Sequence, residues 1–427
     1  MENLKNKGLQ ALHSGERLFK FDMLYLAKGS SWITLSFVVG ILGSLVTMVA
    51  FGNLLSRETY GTYSYLLSLG ASLSFLTLSG AGPAVVRATA RGFDNLAHYA
   101  LTLQLKYNSL SAALILIVAA YYGYKGNGLF AFSLALLSLA YPIADAFHIY
   151  KEVLTGRKCF NILSRITNLI TVTGAAATVL VLYLTDNILI LIALYTIMSF
   201  VPNFLVYKSV TKNIKASPKP GEVAEFKRTS LHFTGAGIIG VIASYIDRVI
   251  LFQAAGPAAL AVYTFALAGP DRLKSLIKNT GTIALPRLAR RSLIQIHEIV
   301  YKRLAILLLS GIALFACYWF LVPLLFKIFL PRYLDAVTYS RVLSLAVIVT
   351  PVSVYFGSVF SAQNMIKAMY AFNLTSHIVR IALFIIMGFM WQIWGLVLAS
   401  VLANVANAVL GLLIWEVEAR RLMAKNE

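Results

Sequence analysis

The chain has 427 residues, 59% apolar and 13% charged, with a mean hydropathy of +0.76. A soluble domain carries about 25% charged residues, so an ordinary globular enzyme, a disordered chain and a fibrous repeat are all excluded. The net charge of +20 points to nucleic acid only until the charges are located.

One membrane-crossing helix uses about 20 apolar residues, so the chain has room for roughly a dozen spans and for no large soluble domain. Residues 1–29 alternate apolar positions (Leu18, Phe19, Phe21, Leu24) with basic ones (Arg17, Lys20, Lys28). That pattern predicts a cytoplasmic amphipathic segment lying on the membrane. With Lys5 and Lys7 ahead of any long apolar run and no small-residue cleavage site, it is not expected to be a removable signal peptide. Apolar runs then predict spans near 30–53, 61–86, 107–124, 129–150, 164–184, 188–207, 231–255, 258–283, 304–325, 341–361, 371–391 and 393–415.

With the N-terminus placed in the cytoplasm, 27 of the 37 Lys and Arg fall on the cytoplasmic side, counting Arg165 at the end of its span. Five fall outside (Arg57, Lys125, Lys327, Arg332, Arg341) and five inside spans. This asymmetry predicts both termini in the cytoplasm and assigns most of the basicity to topology and anionic lipid headgroups, not to nucleic acid. The longest polar interruption, Lys208 to Arg228, contains Pro218, Lys219, Pro220 and Gly221. The expected organisation is a surface segment (1–29), an N-lobe (30–207), a cytoplasmic linker (208–229), a C-lobe (230–415) and a cytoplasmic tail (416–427).

A linker at the midpoint invites a search for a repeat. Shifting the chain by 200 residues aligns 30–91 with 230–291 without a gap, and 12 positions are identical, among them Gly40/Gly240, Ser44/Ser244, Tyr63/Tyr263 and Arg87/Arg287. The expected fold is an all-α polytopic membrane protein of twelve transmembrane helices, in two six-helix lobes related by a pseudo-two-fold axis along the membrane normal. Transporters built in this way hold substrate between the lobes and open alternately to each side. The pairs Gly40/Ser44 and Gly240/Ser244 are expected to let a neighbouring helix approach closely. Pro83, Pro142, Pro270 and Pro351 lie in or beside spans and mark kinks. Cys159 and Cys317 stand far apart without neighbouring His or Cys, a pattern that predicts neither a metal site nor a disulfide framework; no cofactor is implied.

Charge inside the spans is the informative feature. An ionisable group at membrane depth costs about 2.5–3.5 kcal/mol on insertion scales and so faces a cavity or a partner. Span 30–53 has none, whereas the second lobe carries Asp247, Arg248, Asp271, Arg272, Lys274, Lys278, His377 and Arg380. Thr264, Ala268, Asp271, Ser275, Lys278 and Thr282 recur at three- and four-residue steps and predict one wet helix face. Phe265, Leu273, Leu276 and Ile277 are expected mostly to face away from it. Asp271 can pair with Lys274 at i+3. Even so, two carboxylates against Arg248, Arg272, Lys274, Lys278 and Arg380 leave three positive charges over, with His377 neutral. An anionic ligand answers that surplus, and phosphate suits Arg and Lys together. Asp247 and Asp271 are read as either proton-coupling carboxylates or counter-ions.

The stretch Tyr245-Ile-Asp-Arg-Val-Ile-Leu-Phe-Gln-Ala-Ala-Gly-Pro-Ala-Ala-Leu-Ala-Val-Tyr263 resembles the seventh-helix signature of Wzx-type lipid-linked oligosaccharide flippases. These O-antigen and polysaccharide transporters belong to the multidrug/oligosaccharidyl-lipid/polysaccharide (MOP) superfamily, whose architecture is MATE-like. Phe51-Gly-Asn-Leu-Leu-Ser-Arg-Glu-Thr-Tyr-Gly-Thr-Tyr63 echoes it in the first lobe, and Pro286-Arg287-Leu288-Ala289 and Leu330-Pro-Arg-Tyr-Leu-Asp-Ala336 also look familial. The resemblance implies translocation of an undecaprenyl-diphosphate-linked repeat unit across the inner membrane. Arg248, Arg272, Lys274, Lys278 and Arg380 would hold the headgroup and Asp247 or Asp271 would couple an ion. The two-lobe design needs no partner subunit, so a monomer in contact with membrane lipids is the default, with other polysaccharide-assembly membrane proteins as candidate partners. No bond would be made or broken.

The alternative is a cation-coupled multidrug or small-molecule exporter of the same superfamily, although such proteins resemble one another in a first-helix carboxylate that span 30–53 lacks. Peptidoglycan-precursor flippases usually have fourteen helices. A polytopic sugar polymerase or ligase tends to carry a large external loop, and the longest here runs only from about Phe326 to Ser340.

Overall fold

The computed structural model describes residues 23–214 and 218–423. The expected surface segment lies outside the described residues up to position 22, as do residues 215–217 of the expected linker and 424–427 of the expected tail. Among the described residues the chain is helical, without a β-strand. The first lobe comprises α1 (Met23–Leu54), α2 in two pieces (Arg57–Leu73 and Ala81–Ala90), α3 (Leu96–Tyr124), α4 (Gly128–Gly156), α5 (Phe160–Leu184) and α6 (Ile188–Thr211). The second comprises α7 (220–255), α8 (257–289), α9 (Leu293–Phe329), α10 (Ala336–Ala362), α11 (366–390) and α12 (393–423).

Nine described helices are long and apolar enough to cross a membrane, and the bent pair that makes α2 adds a tenth. Two of the nine each join two helices across a kink, at Gly256 and at Trp391–Gln392. The total is the twelve predicted spans. Several helices outrun their apolar windows; α3, for example, begins at Leu96 rather than 107. Successive spans alternate in direction. The α6–α7 connection therefore marks a linker face, and the α1–α2, α7–α8 and α9–α10 turns share the opposite, distal face.

The two lobes share the sequence repeat but not every detail of it. Ser64 Oγ and Thr264 Oγ1, 200 residues apart, are 3.3 Å from each other, which places them on the pseudo-two-fold axis. The α7–α8 turn needs Gly256, whose φ of 81° and ψ of −178° fall in a region closed to side chains. Opposite it, Gly61 lets α2 press on the carbonyl of Pro257, where a Cβ would sit 1.8 Å from the oxygen.

Span 61–86 does not form the single helix predicted. α2 breaks over residues 74–80 and bends by 63°, while α8, at the equivalent place, runs on unbroken. In a bilayer, backbone groups freed by a break must find partners inside the protein. Here Asn108 of α3, fully buried, accepts from the amide of Leu78 (2.8 Å) and donates to the carbonyl of Pro142 (2.7 Å). Pro142 sits in a wide π-turn, Leu139–Ile143, inside α4, so one side chain repairs two breaks. The amide of Gly80 donates to Thr234 Oγ1 of α7 at 3.0 Å.

The expectation for Gly40 also fails. Among the described residues no neighbouring helix comes within 4 Å of a Cβ built there, and α1 is approached instead at Gly43 by Thr171 of α5 (2.9 Å). Ser44 borders the cavity described below, so that side of α1 faces space rather than a packed helix. Gly240 does receive a neighbour, His377 Nε2 at 3.0 Å.

Packing differs between the two ends. Toward the distal face one apolar core runs through both lobes, joining Leu55, Tyr63, Tyr65 and Leu66 to Leu251, Phe265 and Tyr333. Toward the linker face there are two cores, one around Val85, Tyr150 and Tyr207 that also takes in Phe226 of α7, and the other around Val300, Phe356 and Trp415. The lobes thus share one core at the distal end, and near the linker face they meet through α7, whose Glu222, Glu225 and Thr234 contact Asn95, Arg91 and Gly80. Asn108→Ala leaves a buried amide and a buried carbonyl unpaired and is expected to cost about 2–4 kcal/mol. Melting in detergent should fall by several degrees; an unchanged midpoint would show that the breaks are held by something else.

Candidate functional site

A cavity of about 610 Å³ lies between the lobes, bounded by α1, α2, α4, α7, α8 and α9. Its wall is chiefly apolar and aromatic, with Ile41, Leu45, Met48 and Phe51 on α1, Tyr60 and Tyr63 on α2, and Tyr318 and Phe326 on α9. The charges at its surface are Arg248, Asp271 and Arg272, all contributed by the α7–α8 hairpin.

The structure sorts the predicted site residues. Asp271, its side chain 46% exposed, pairs with Lys274 at 2.6 Å, the i, i+3 pair foreseen from spacing. Arg248 keeps its Nε buried and without a hydrogen-bond partner, and its guanidinium lies 5.9 Å from the centre of the Tyr245 ring. Arg272 borders the cavity, and no carboxylate among the described residues pairs with either arginine.

Lys278 and Arg380 do not border the cavity. They lie in its electrostatic surroundings: Asp271 is within range of Arg248 and Arg380, and Lys278 is within range of Lys274 and Arg380. The Arg380 guanidinium covers the Phe384 ring at 5.0 Å. Asp247 faces away. It is 3% exposed, accepts from the Tyr263 hydroxyl at 3.0 Å and from the Arg248 amide at 2.9 Å, and so belongs to the core. Adjacent helical residues point about 100° apart, so one of the Asp247–Arg248 pair had to turn inward.

The wet face of α8 is shorter than its periodicity. Thr264, Ala268 and Asp271 line the cavity, while Ser275 and Lys278 lie beyond it and the side chain of Thr282 is outside the described residues. Phe265, expected to face away, also lines the cavity; it stacks on Tyr60 at 4.5 Å, so its ring edge closes the wall. The contribution of α1 went unread, although Ser44, Met48 and Phe51 recur at three- and four-residue steps.

A family model described as "polysaccharide biosynthesis protein" matches residues 26–290. The chain belongs to that family. No curated protein sequence matches it. Among solved structures it is similar to a multidrug-resistance MATE family transporter of the MOP superfamily in an outward-facing conformation (TM-score 0.62, 14% identity, 94% of this chain and 96% of that one). It is also similar to a MOP superfamily transporter from Pyrococcus furiosus (0.63, 14%, 93% and 96%) and to a MATE structure in a straight conformation (0.61, 16%, 94% and 96%). These likenesses establish the fold. This member of the polysaccharide biosynthesis family is a multi-pass membrane protein with the two-lobe architecture of the MOP superfamily, as its sequence resemblance implied.

The Asp247–Tyr263 pair offers a test that needs no substrate. Tyr263→Phe is expected to cost about 2 kcal/mol, the value of a hydrogen bond to a buried charged group. Combining it with Asp247→Asn should cost little beyond the larger single loss. Additive losses in detergent melts would show that the two side chains do not act as a unit.

Proposed function

We propose that this protein carries an undecaprenyl-diphosphate-linked oligosaccharide repeat unit from the cytoplasmic to the outer leaflet of the inner membrane by alternating access. The observation that carries the reading is the pair of arginines, Arg248 and Arg272, standing without a carboxylate partner in a cavity between two lobes. A buried or membrane-depth cation is costly unless it is paired or wet, and a diphosphate supplies the missing charge in the bidentate geometry guanidinium groups favour. Family membership supports a role in polysaccharide assembly, and the fold supports transport.

On this reading Arg248 and Arg272 grip the headgroup. Lys278 and Arg380 add positive potential from outside the cavity, and Lys274, held by Asp271, is released when a phosphate competes for it. Asp271 is the better-placed of the two ion-coupling candidates because it faces the cavity, whereas Asp247 is sealed by Tyr263. The lysine and arginine asymmetry supports a cytoplasmic linker face with both termini on that side. The glycan occupies the cavity, the prenyl chain stays among membrane lipids, and a monomer suffices. An exporter of cationic drugs fits less well, because the two free arginines would repel its cargo.

Reconstitution tests the reading. Liposomes containing the protein and a polyprenyl-diphosphate oligosaccharide should expose glycan to an external glycosidase. Arg248→Ala and Arg272→Ala should each slow that exposure about tenfold or more, the equivalent of one lost charge-assisted hydrogen bond. Exposure that persists in both variants would remove the arginines from the site. No exposure, with or without an ion gradient, would favour small-molecule export.

A further inference from the structure

The roof of the cavity is built from contacts between lobes, and they differ on the two sides of the pseudo-two-fold axis. On one side Arg57, the first residue of α2, donates to Asp335 through both terminal nitrogens (2.7 and 3.0 Å) and also to the carbonyl of Arg332. Its guanidinium lies 5.0 Å from the centre of the Tyr333 ring. One turn earlier Asn53 Nδ2 donates to the carbonyl of Phe329 at 2.8 Å. Leu330, 2% exposed, lies against Gly52. The α1–α2 turn of the first lobe is thereby tied to the α9–α10 turn of the second.

The 200-residue repeat puts Gln253 where Asn53 stands and Pro257 where Arg57 stands. Gln253 also reaches across: its Nε2 donates to the Tyr65 hydroxyl at 3.0 Å, which is 3.0 Å from the Tyr122 hydroxyl. Phe252 stacks on Tyr65 at 3.9 Å. This second contact is neutral and aromatic, and Tyr65 is 1% exposed. The first is ionic and half-exposed, with side chains 42% and 46% accessible.

The two also differ in what they cover. Phe329 and Leu330, under the ionic contact, line the cavity; Tyr65, Tyr122, Phe252 and Gln253 do not. Parting the lobes at the aromatic contact would expose core alone, whereas parting them at the ionic contact would uncover the cavity together with Leu330 and Tyr333. Water can solvate Arg57 and Asp335 as they separate, and nothing equivalent compensates the aromatic stack. We infer that Arg57 and Asp335 form the latch of the distal gate and that the Tyr65–Phe252 contact is the hinge about which the lobes turn when it opens.

Access to the cavity reads the latch without any substrate, so its failure is distinct from failure of the glycan reading. In a chain with Cys159→Ser and Cys317→Ser, Ala268→Cys places one thiol on the cavity wall. A membrane-impermeant maleimide is applied to intact cells and to inverted vesicles, so an inverted orientation would appear as an exchange of the two results. Arg57→Ala, or Asp335→Asn where the charge alone is to be removed, should raise labelling from the distal side about fivefold to tenfold, as for a bidentate but half-exposed pair. Arg57→Asp combined with Asp335→Arg should bring it most of the way back. Tyr122→Phe, on the hinge side, should leave it unchanged. The latch is overturned if distal labelling stays at the parent rate in Arg57→Ala and Asp335→Asn while a permeant maleimide labels all the protein. It is equally overturned if Tyr122→Phe raises labelling as much as they do.

Discussion

A bilayer interior accepts charge only where it is paired or wet, and the arrangement of the α7–α8 hairpin follows from that constraint. Four of the six charged side chains that this hairpin carries at membrane depth meet it in three ways. Asp247 is sealed against Tyr263, Asp271 neutralises Lys274, and Arg248 is left beside open space with one nitrogen unsatisfied. The first lobe, on the same frame, places Met48, Ala71, Ser72, Ser74 and Leu78 at the positions of Arg248, Asp271, Arg272, Lys274 and Lys278. A shared fold therefore carries its cationic chemistry on one side only, and the opposite wall is left to Phe51, Tyr60 and Tyr63. That division suits a ligand with one charged end and a larger uncharged body.

The constraint acts on the backbone as well. The break in α2 and the π-turn in α4 would each strand peptide groups in hydrocarbon, and both depend on Asn108. The Gly80 amide, freed by the same break, leans on Thr234 of α7, the helix that carries Arg248 seven residues short of its distal end. The bent helix of the first lobe and the charged helix of the second are thus mechanically joined near the linker face. A rotation of α7 there is transmitted to the break, where the backbone is already irregular and small adjustments are inexpensive.

Hydropathy made the twelve spans legible, because it is a local sum over about 20 residues, and the 200-residue repeat made their pairing into two lobes legible. The Asp271–Lys274 pair was legible for a similar reason: three residues apart on a helix fixes the geometry. What could not be read were contacts made by folding distant segments together. Asp247 looked like a cavity residue until Tyr263, across the α7–α8 turn, closed over it. The five cations formed one group in sequence but only Arg248 and Arg272 border the cavity, since which face of α8 and α11 meets the open space depends on packing against α1, α2 and α9. The α2 break left a trace in Ser79-Gly80 and Pro83, yet proline elsewhere, at 270 and 351, sits in unbroken helices, so the residue type alone does not decide.

The pseudo-two-fold frame raises a problem that its departures from symmetry resolve. Two lobes related by an axis along the membrane normal have two equivalent seams, and a strictly symmetric molecule would have no reason to open one rather than the other. A cavity walled by α1, α2, α4, α7, α8 and α9 reaches from the axis, at Ser64 and Thr264, to one seam, at Phe329 and Leu330. Replacing a turn proline by Arg57 puts a hydratable ion pair over that seam, and stacking Phe252 on Tyr65 welds the other. The shared distal core then serves as the pivot, while near the linker face the lobes meet through α7. Directional movement of a bulky cargo needs this inequality more than it needs strength at either contact. The side chains that create it stand at positions the repeat aligns, 53 with 253 and 57 with 257.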